Sequence, residues 1–159
     1  MDRRTFLSAL GLGALALPRL ARTQVPGGMV EKIHRGDAEW QRLLTREQYV
    51  VLRKQGTEKP GSSPLLHEKR PGTYHCAGCD LALFDSAAKY DSGTGWPSFF
   101  DAIPGHVETE LDFSLFLPRT EYHCARCGGH QGHIFDDGPP PTGRRYCNNG
   151  VALTFAPRA

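Results

Sequence analysis

Hydrophobic and polar positions follow helical spacing early in the chain and alternate later. Residues 38–44 follow Asp37, whose carboxylate can accept N–H groups at a helix start, and predict a short helix. The sequence Thr45-Arg46-Glu47-Gln48 is typical of a capping box, in which Thr45 caps the helix and Gln48 reaches back. A second helix is therefore predicted over residues 45–55, and Gly56 is expected to end it in left-handed backbone.

Beyond Gly72 the pattern changes to the period of two that is typical of strands with one buried face. It is clearest in residues 112–117 and 151–155, where each segment has a hydrophobic residue at every second position. The 18 glycines and 12 prolines also favour short strands and turns, because both residues interrupt helices. We therefore expect a mainly β domain of antiparallel strands, preceded by one or two short helices.

Length and composition limit the organisation of the chain. Its 159 residues are enough for one domain of ordinary size, and 39% hydrophobic with 23% charged residues is a globular composition. We expect residues 1–21 to be an export signal, residues 22–36 a polar linker, and residues 37–159 the folded domain.

The predicted export signal combines an arginine pair with a short apolar run. Residues 6–17 form a 12-residue apolar segment. Such a segment is too short to cross about 30 Å of hydrocarbon but has the length of a signal-peptide core. The sequence Arg3-Arg4-Thr5-Phe6-Leu7 resembles a twin-arginine signal, which predicts export to a bacterial periplasm. An ordinary secretory signal is the alternative.

Charge argues against nucleic-acid binding. The whole chain has a net charge of +2, with 19 basic and 17 acidic residues. Residues 1–21 contain three arginines and one aspartate, so their removal leaves 16 of each sign. A neutral domain offers no basic stripe for phosphates, and we expect neither a nucleic-acid partner nor a stable membrane span.

Four of the five cysteines form two matching Cys-x-x-Cys units, Cys76–Cys79 and Cys124–Cys127, each preceded by Tyr-His. Each unit offers two thiolates, and together they can complete a tetrahedron around one zinc ion. Four sulfur ligands leave no open position, so we expect one structural zinc per chain. Redox-active dithiols of the thioredoxin type and two disulfides are the alternatives.

The fifth cysteine, Cys147, has neighbours suited to thiol chemistry. The cationic Arg144 and Arg145 precede it and would favour the thiolate. Upstream lie His130, His133 and Asp137, which could handle protons beside a nucleophilic sulfur. A buried, unreactive cysteine is the structural alternative.

A further candidate is Trp96, held in a Gly-rich turn and followed by proline. Its indole could form an aromatic wall for an apolar part of a substrate, or simply belong to the core.

Taken together, the ordered motifs resemble those of the B-type methionine sulfoxide reductases. The resemblance covers residues 37–157 and is specific, because several motifs occur in order at matching spacing. They are residues 45–57, the two Cys-x-x-Cys units, and residues 89–99, 119–121, 130–138 and 142–149.

The resemblance implies a fold and an activity. The fold is a pair of antiparallel sheets, sandwich- or barrel-like and related to zinc ribbons, with the zinc away from the active site. The activity is reduction of the R epimer of methionine sulfoxide, in oxidised proteins or free, by a monomer that needs no organic cofactor.

The resemblance also implies roles for individual residues. Cys147 would attack the sulfoxide sulfur and become a sulfenic acid. His130, His133 and Asp137 would bind and protonate the sulfoxide oxygen, with Asn149 supporting this network. Trp96 would pack against the methyl group of the substrate.

One position departs from many relatives, which have a second, resolving cysteine where this chain has Thr94. We therefore expect a one-cysteine cycle, in which a thioredoxin-like protein or another thiol reduces Cys147 directly. The alternative functions are a non-catalytic zinc-ribbon module that binds a peptide or small ligand, and a nucleic-acid zinc ribbon, which the neutral charge disfavours.

Overall fold

A computed structural model describes residues 30–158. The predicted export signal, residues 1–21, and the first part of the predicted linker lie outside the described residues. The described part of that linker, residues 30–36, lies against the domain. Ile33 N donates to the Arg126 carbonyl over 2.8 Å, and Lys32 forms an ion pair with Glu108.

Two short helices open the domain, as expected, with corrected ends. Helix α1 spans Asp37–Leu43 and helix α2 spans Arg46–Lys54. The predicted cap at Asp37 is wrong, because Gly36 occupies the cap position. The Asp37 carboxylate instead accepts hydrogen bonds from Tyr49 and Lys54 and so joins the two helices.

The capping box of α2 is confirmed. Gln48 N donates to Thr45 Oγ1 over 3.2 Å, and Thr45 N donates to Gln48 Oε1 over 3.1 Å. The predicted stop at Gly56 is displaced by one residue, because Gln55 is the left-handed residue, with φ 54°. Gly56 is required for space, since a Cβ there would lie 2.7 Å from Val50 Cγ1.

Within residues 30–158, nine strands follow in two antiparallel sheets, which confirms the expected mainly β class. The three-stranded sheet has the order β2-β1-β9, and the six-stranded sheet has the order β3-β4-β8-β7-β6-β5. The strands are β1 Gly72–Cys76, β2 Ala82–Asp85, β3 Lys89–Tyr90, β4 Ser98–Phe99, β5 Val107–Asp112, β6 Arg119–Cys124, β7 His130–Phe135, β8 Arg145–Asn148 and β9 Leu153–Pro157.

The predicted strand over residues 112–117 is wrong. Strand β5 ends at Asp112, and the following residues form the loop to β6. Ser114 N donates to Asp112 Oδ1 over 2.8 Å, which turns the chain away from the strand direction. The apolar side chains of the loop are exposed, Phe116 completely, so the alternation does not correspond to a buried face.

The predicted strand over residues 151–155 begins later than expected. Residues Gly150–Ala152 form a short 3₁₀ helix, and β9 starts at Leu153. The Glu58 carboxylate accepts hydrogen bonds from the N–H groups of Gly150 and Val151, which stabilises the helical turn at this point.

Aromatic side chains from both sheets fill the core. The rings of Phe84 and Phe99 stack with centroids 4.2 Å apart, and Tyr74 and Tyr122 meet this pair at steep angles. Trp40 of α1 is also buried, with the Arg53 guanidinium 5.0 Å from its ring centre. Among residues 30–158, the helices are all too short or too polar to span a bilayer.

Candidate active site and four-cysteine centre

The two Cys-x-x-Cys units meet at the ends of strands β1 and β6. The Sγ atoms of Cys76 and Cys127 are 3.6 Å apart, and those of Cys79 and Cys124 are 3.5 Å apart. All four sulfurs lie within 4.8 Å of one another. A zinc tetrahedron with Zn–S bonds of about 2.3 Å places its sulfurs about 3.8 Å apart, so the four thiols fit such an ion.

A disulfide arrangement does not match this geometry. An S–S bond is about 2.05 Å long, far shorter than these separations, and all five cysteines are free. The four cysteines could therefore bind a metal such as zinc. The buried Gln131 supports the centre, because its amide donates to Cys76 Sγ over 3.4 Å.

Cys147 lies on β8, between strands β4 and β7 of the larger sheet. Ser98 is its register partner on β4, and His133 is its partner on β7. Residues directly opposite in antiparallel strands point to the same face of the sheet. The fold therefore brings Cys147 and His133 together, although 14 positions separate them in the sequence.

Burial and charge act in opposite directions on the Cys147 thiol. Burial raises the pKa of the Cys147 thiol, and this effect outweighs the opposing influence of the Arg145 charge and of hydrogen bonds from Thr94 and Arg145. Arg145 is buried beside the sulfur, whereas Arg144 is exposed. Only Arg145 therefore serves the role that the sequence had suggested for both arginines.

Thr94 lies against the Cys147 sulfur and is itself fixed in place. The hydroxyl groups of Thr94 and Ser92 are 2.8 Å apart, and Ser92 is also 2.8 Å from the hydroxyl of Ser98. This chain of hydroxyl groups connects the Gly-rich turn to the strand that pairs with Cys147.

His133 is held by a carboxylate that the sequence analysis missed. Its Nε2 is 2.8 Å from Asp112 Oδ2, and Arg119 also donates to this oxygen. Hydrogen bonds from Ser114 above all, and also from His133 and Arg119, hold the pKa of Asp112 well below its ordinary value. An ionised carboxylate only accepts hydrogen bonds, so Nε2 of His133 carries the proton and Nδ1 remains for other chemistry.

His130 is held by a second carboxylate and is almost fully buried. Its Nδ1 is 2.6 Å from Glu121 Oε1, and Gln55 donates to the other oxygen of Glu121 over 3.0 Å. Burial lowers the pKa of His130 despite the Glu121 carboxylate, so the ring is neutral near pH 7. Its Nε2 has no partner among residues 30–158 and lies on a ring 5.5 Å from that of His133.

Asp137 reaches the site through Arg145 and not through the histidines. Its two carboxylate oxygens accept from Arg145 Nε and a terminal nitrogen, both over 2.8 Å. The Arg145 guanidinium also lies 4.3 Å from the ring centre of Phe135. Asp137 thus orients the cation that faces Cys147.

Trp96 and Asn149 are connected by one residue, Glu58. The Trp96 indole N–H donates to the Glu58 carbonyl over 3.2 Å, and Glu58 N donates to Asn149 Oδ1 over 3.0 Å. Asn149 also donates to the Gln131 carbonyl. The Glu58 backbone thereby holds the turn that presents Trp96 against the end of strand β8.

Three site residues, Asp112, Glu121 and Glu58, were not predicted from the sequence. Glu121 belongs to one of the motifs quoted for the family resemblance, but that motif suggested no role. Asp112 stood in a predicted strand, and Glu58 lay between the second predicted helix and the predicted strands. Nothing in the local pattern signalled either residue, because His133 lies 21 positions from Asp112, and Trp96 and Asn149 lie 38 and 91 positions from Glu58.

Comparisons with known proteins agree on one family. The SelR domain matches residues 44–157. Proteins named peptide methionine sulfoxide reductase MsrB are 50% identical over 127 residues in Agrobacterium fabrum and 51% identical over 124 residues in Methanosarcina barkeri. A third, from Pseudomonas putida, is 52% identical over 130 residues. These matches cover 77–81% of this chain and 87–98% of the relatives.

Proposed function

This chain belongs to the B-type methionine sulfoxide reductases, and we propose that it reduces the R epimer of methionine sulfoxide through Cys147. The observation that supports this most directly is the pairing of Cys147 with His133 across two strands, with Arg145 and Thr94 beside the sulfur. The preference for the R epimer rests on the family resemblance.

The proposed first step transfers oxygen from one sulfur to another. The Cys147 thiolate forms a bond to the sulfoxide sulfur while the sulfoxide oxygen is protonated. The sulfur–oxygen bond of the substrate and the new sulfur–sulfur bond then break as the oxygen passes to Cys147 and methionine leaves. The products are methionine and Cys147 sulfenic acid, whose hydroxyl contains the former sulfoxide oxygen and the proton of the thiol. One electron pair moves from the cysteine sulfur to the methionine sulfur.

His133 is the proposed proton donor to the sulfoxide oxygen. Its Nε2 proton is committed to Asp112, and Asp112 also stabilises the imidazolium that donates from Nδ1. Nearby, neutral His130 has an Nε2 without a partner in the part of the chain that the structure describes, which suits it to hold a water molecule or the oxygen itself. Protonation matters because it converts the sulfoxide oxygen into a better leaving group.

Arg145 and Trp96 have complementary proposed roles. The guanidinium of Arg145, held by Asp137, stabilises the Cys147 thiolate as it forms. The indole of Trp96, fixed through Glu58, packs against the methyl group on the substrate sulfur. Asn149 keeps the Glu58 loop and β7 together, so it is a positioning residue in this scheme.

The second half of the cycle is proposed to use an external thiol. Thr94 occupies the place next to Cys147, and the other four cysteines are gathered in a separate centre. A thiol of a thioredoxin-like protein or a small molecule therefore attacks the sulfenic acid, releasing water and forming a mixed disulfide. A further thiol then releases Cys147 as a thiol and leaves the reductant as a disulfide.

We further propose that the four-cysteine centre binds one structural zinc ion per chain. The tetrahedral fit of Cys76, Cys79, Cys124 and Cys127 supports this, and no ligand position remains for water. Such an ion contributes on the order of 10 kcal/mol to folding.

Export through a twin-arginine route is a proposal that rests on residues 1–21. It is tested by fusing these residues to a reporter and fractionating the cells. Export that stops when Arg3 and Arg4 are both changed to Lys supports it, whereas a reporter that stays in the cytoplasm with both arginines intact contradicts it.

The proposed function is tested with the two epimers of methionine sulfoxide and dithiothreitol as reductant. We expect turnover of the R epimer by the full chain and no turnover by Cys147→Ser. Activity retained by Cys147→Ser, or turnover of the S epimer only, would contradict the assignment.

A further inference from the structure

Five large apolar side chains are exposed in one short stretch, which we call the apolar loop, residues 111–117. Elsewhere in residues 30–158, only Leu43 and Val50 are large, apolar and exposed. Single exposed hydrophobic residues are ordinary, but a concentration of this kind marks an interaction surface. The exposed fractions are Leu111 63%, Phe113 69%, Leu115 58%, Phe116 100% and Leu117 70%.

The apolar loop is continuous with the candidate active site. Asp112 lies within it, and its carboxylate holds His133, the residue opposite Cys147. Arg119, the first residue of β6, donates to the same carboxylate over 2.6 Å. A molecule that lies on the apolar loop therefore lies near Asp112, the residue that holds His133.

The charge of the apolar loop limits the kind of partner. Residues 113–118 contain no charged side chain, and the two flanking charges, Asp112 and Arg119, form an ion pair with each other. A neutral apolar surface of this kind does not attract phosphates or other strongly charged ligands. It suits an uncharged apolar partner.

We propose that the apolar loop binds the apolar polypeptide segment that surrounds an oxidised methionine in an unfolded protein. This inference rests on the proposed function and extends it to the form of the substrate. Methionine belongs largely to protein interiors, and other core side chains recur at every second residue of a strand or every third or fourth residue of a helix, so apolar side chains lie close to it in the sequence. Oxidation makes the side chain polar and disrupts cores, which exposes those neighbours to solvent.

The structure of the apolar loop fits an adaptable docking surface. Its base is fixed by Asp112 and Arg119, while residues 113–117 belong to no helix or strand. Loops of this kind can repack against varied sequences, whereas the site below them is built on strands. In this proposal the strands recognise the sulfoxide, and the apolar loop recognises its flanking sequence.

The experiment compares three substrates with the full chain and dithiothreitol. They are free methionine R-sulfoxide, a synthetic peptide with R-sulfoxide flanked by leucine and valine, and a peptide of equal length flanked by serine and glycine. We expect the apolar peptide to have the highest kcat/KM. In the triple variant Phe113→Ser, Leu115→Ser, Phe116→Ser this advantage disappears through a KM increase of roughly tenfold, because such apolar anchors carry much of the binding energy.

Two controls make the result specific. Activity of the triple variant on free methionine R-sulfoxide should stay unchanged, because residues 113, 115 and 116 are not part of the chemistry. The matched variant Leu43→Ser, Val50→Ser removes the exposed apolar side chains of α1 and α2 and should retain the preference for the apolar peptide.

Several results would overturn the proposal. Equal kcat/KM for the two peptides in the unmodified chain contradicts docking while leaving the proposed function intact, whereas no turnover of any substrate contradicts both. Two other outcomes assign the apolar loop to a different occupant. One is a dimer in sedimentation that the triple variant abolishes, and the other is binding to neutral phosphatidylcholine vesicles that it abolishes, each with no change in peptide preference.

Discussion

The environment of Cys147 combines a partly buried sulfur with the cation of Arg145. Burial alone would keep the thiol protonated at neutral pH, and Arg145 is the charged group that opposes this effect. The neighbouring Arg144 is exposed and does not act on the sulfur. The two adjacent arginines therefore differ in function, which makes them a matched pair for mutation.

Replacing Arg145 by Gln should make Cys147 less reactive. Loss of the positive charge raises the pKa of the thiol further. The curve of alkylation rate against pH therefore shifts to higher pH, and the rate at pH 8 falls several-fold. The measurement is iodoacetamide labelling of Cys147, followed by peptide mass spectrometry. Arg144→Gln should leave the profile unchanged, and equal shifts in both variants would contradict the role of Arg145.

Asp112 is a positioning residue for His133, and its charge should matter more than its hydrogen bond. Asp112→Asn keeps a similar shape but removes the charge that stabilises the imidazolium, so we expect kcat to fall about 10- to 100-fold. KM for free methionine R-sulfoxide should change little. The exposed Asp136→Asn serves as the control, and a change in KM alone would show that Asp112 acts only on binding.

At the residue scale, the sequence indicated those site residues that belong to short motifs. Cys147, His130 and His133 belong to recognisable local patterns, and the structure brings Cys147 and His133 to facing positions. Asp112, Glu121 and Glu58 could not be found in this way. Their importance comes from partners that only the strand pairing or the loop path brings close.

The four-cysteine centre lies where strands β1 and β6 end, and so joins the two sheets. Each Cys-x-x-Cys unit is a tight turn in which the first cysteine still belongs to the strand. A metal ion at this position fixes the ends of both sheets relative to each other. Its loss should therefore affect the whole domain and not only one turn.

Metal analysis should give about one zinc per chain, the ratio expected for a single four-thiolate site. Removing the ion with a chelator should lower the melting temperature strongly, because the bound metal contributes on the order of 10 kcal/mol. Thermal unfolding with and without chelator measures this effect. A metal-free protein with two disulfides and an unchanged melting temperature would contradict the centre as described.

At the element scale, short sequence motifs correctly predicted those elements that local hydrogen bonds stabilise. The capping box of α2 lies within four residues, and its prediction was right because both hydrogen bonds are local. The strand prediction for residues 112–117 was wrong for the opposite reason. Alternation shows that a strand could bury one face, but β5 is the edge strand and the loop beyond it lies in solvent.

Thr94 is the residue on which the proposed one-cysteine cycle depends. A hydrogen bond from its hydroxyl lowers the pKa of the Cys147 thiol, so we expect a cysteine in its place to lie near Cys147. In Thr94→Cys, we expect a disulfide between residues 94 and 147 after one turnover without reductant. Nonreducing peptide mapping detects this bond, and its absence would contradict the contact, whereas Thr94→Ser should form none.

At the scale of the whole molecule, the family resemblance predicted more of the architecture than the periodicity of the sequence did. Periodicity indicated antiparallel strands but not their division into two sheets, since β9 pairs with β1 across about 80 positions. The two matching Cys-x-x-Cys units indicated that distant strand ends must meet, and they do. No comparable motif predicted the path of residues 56–64. This path places Glu58 between Trp96 and Asn149.

A single turnover without reductant tests the central claim most directly. The full chain is mixed with an excess of methionine R-sulfoxide, the methionine formed is quantified, and all five cysteines are examined by mass spectrometry. We predict one methionine per chain and a sulfenic acid on Cys147, with no intramolecular disulfide and with Cys76, Cys79, Cys124 and Cys127 unoxidised. Methionine formed in equal amount by Cys147→Ser, or a disulfide joining Cys147 to one of these four cysteines, would contradict it.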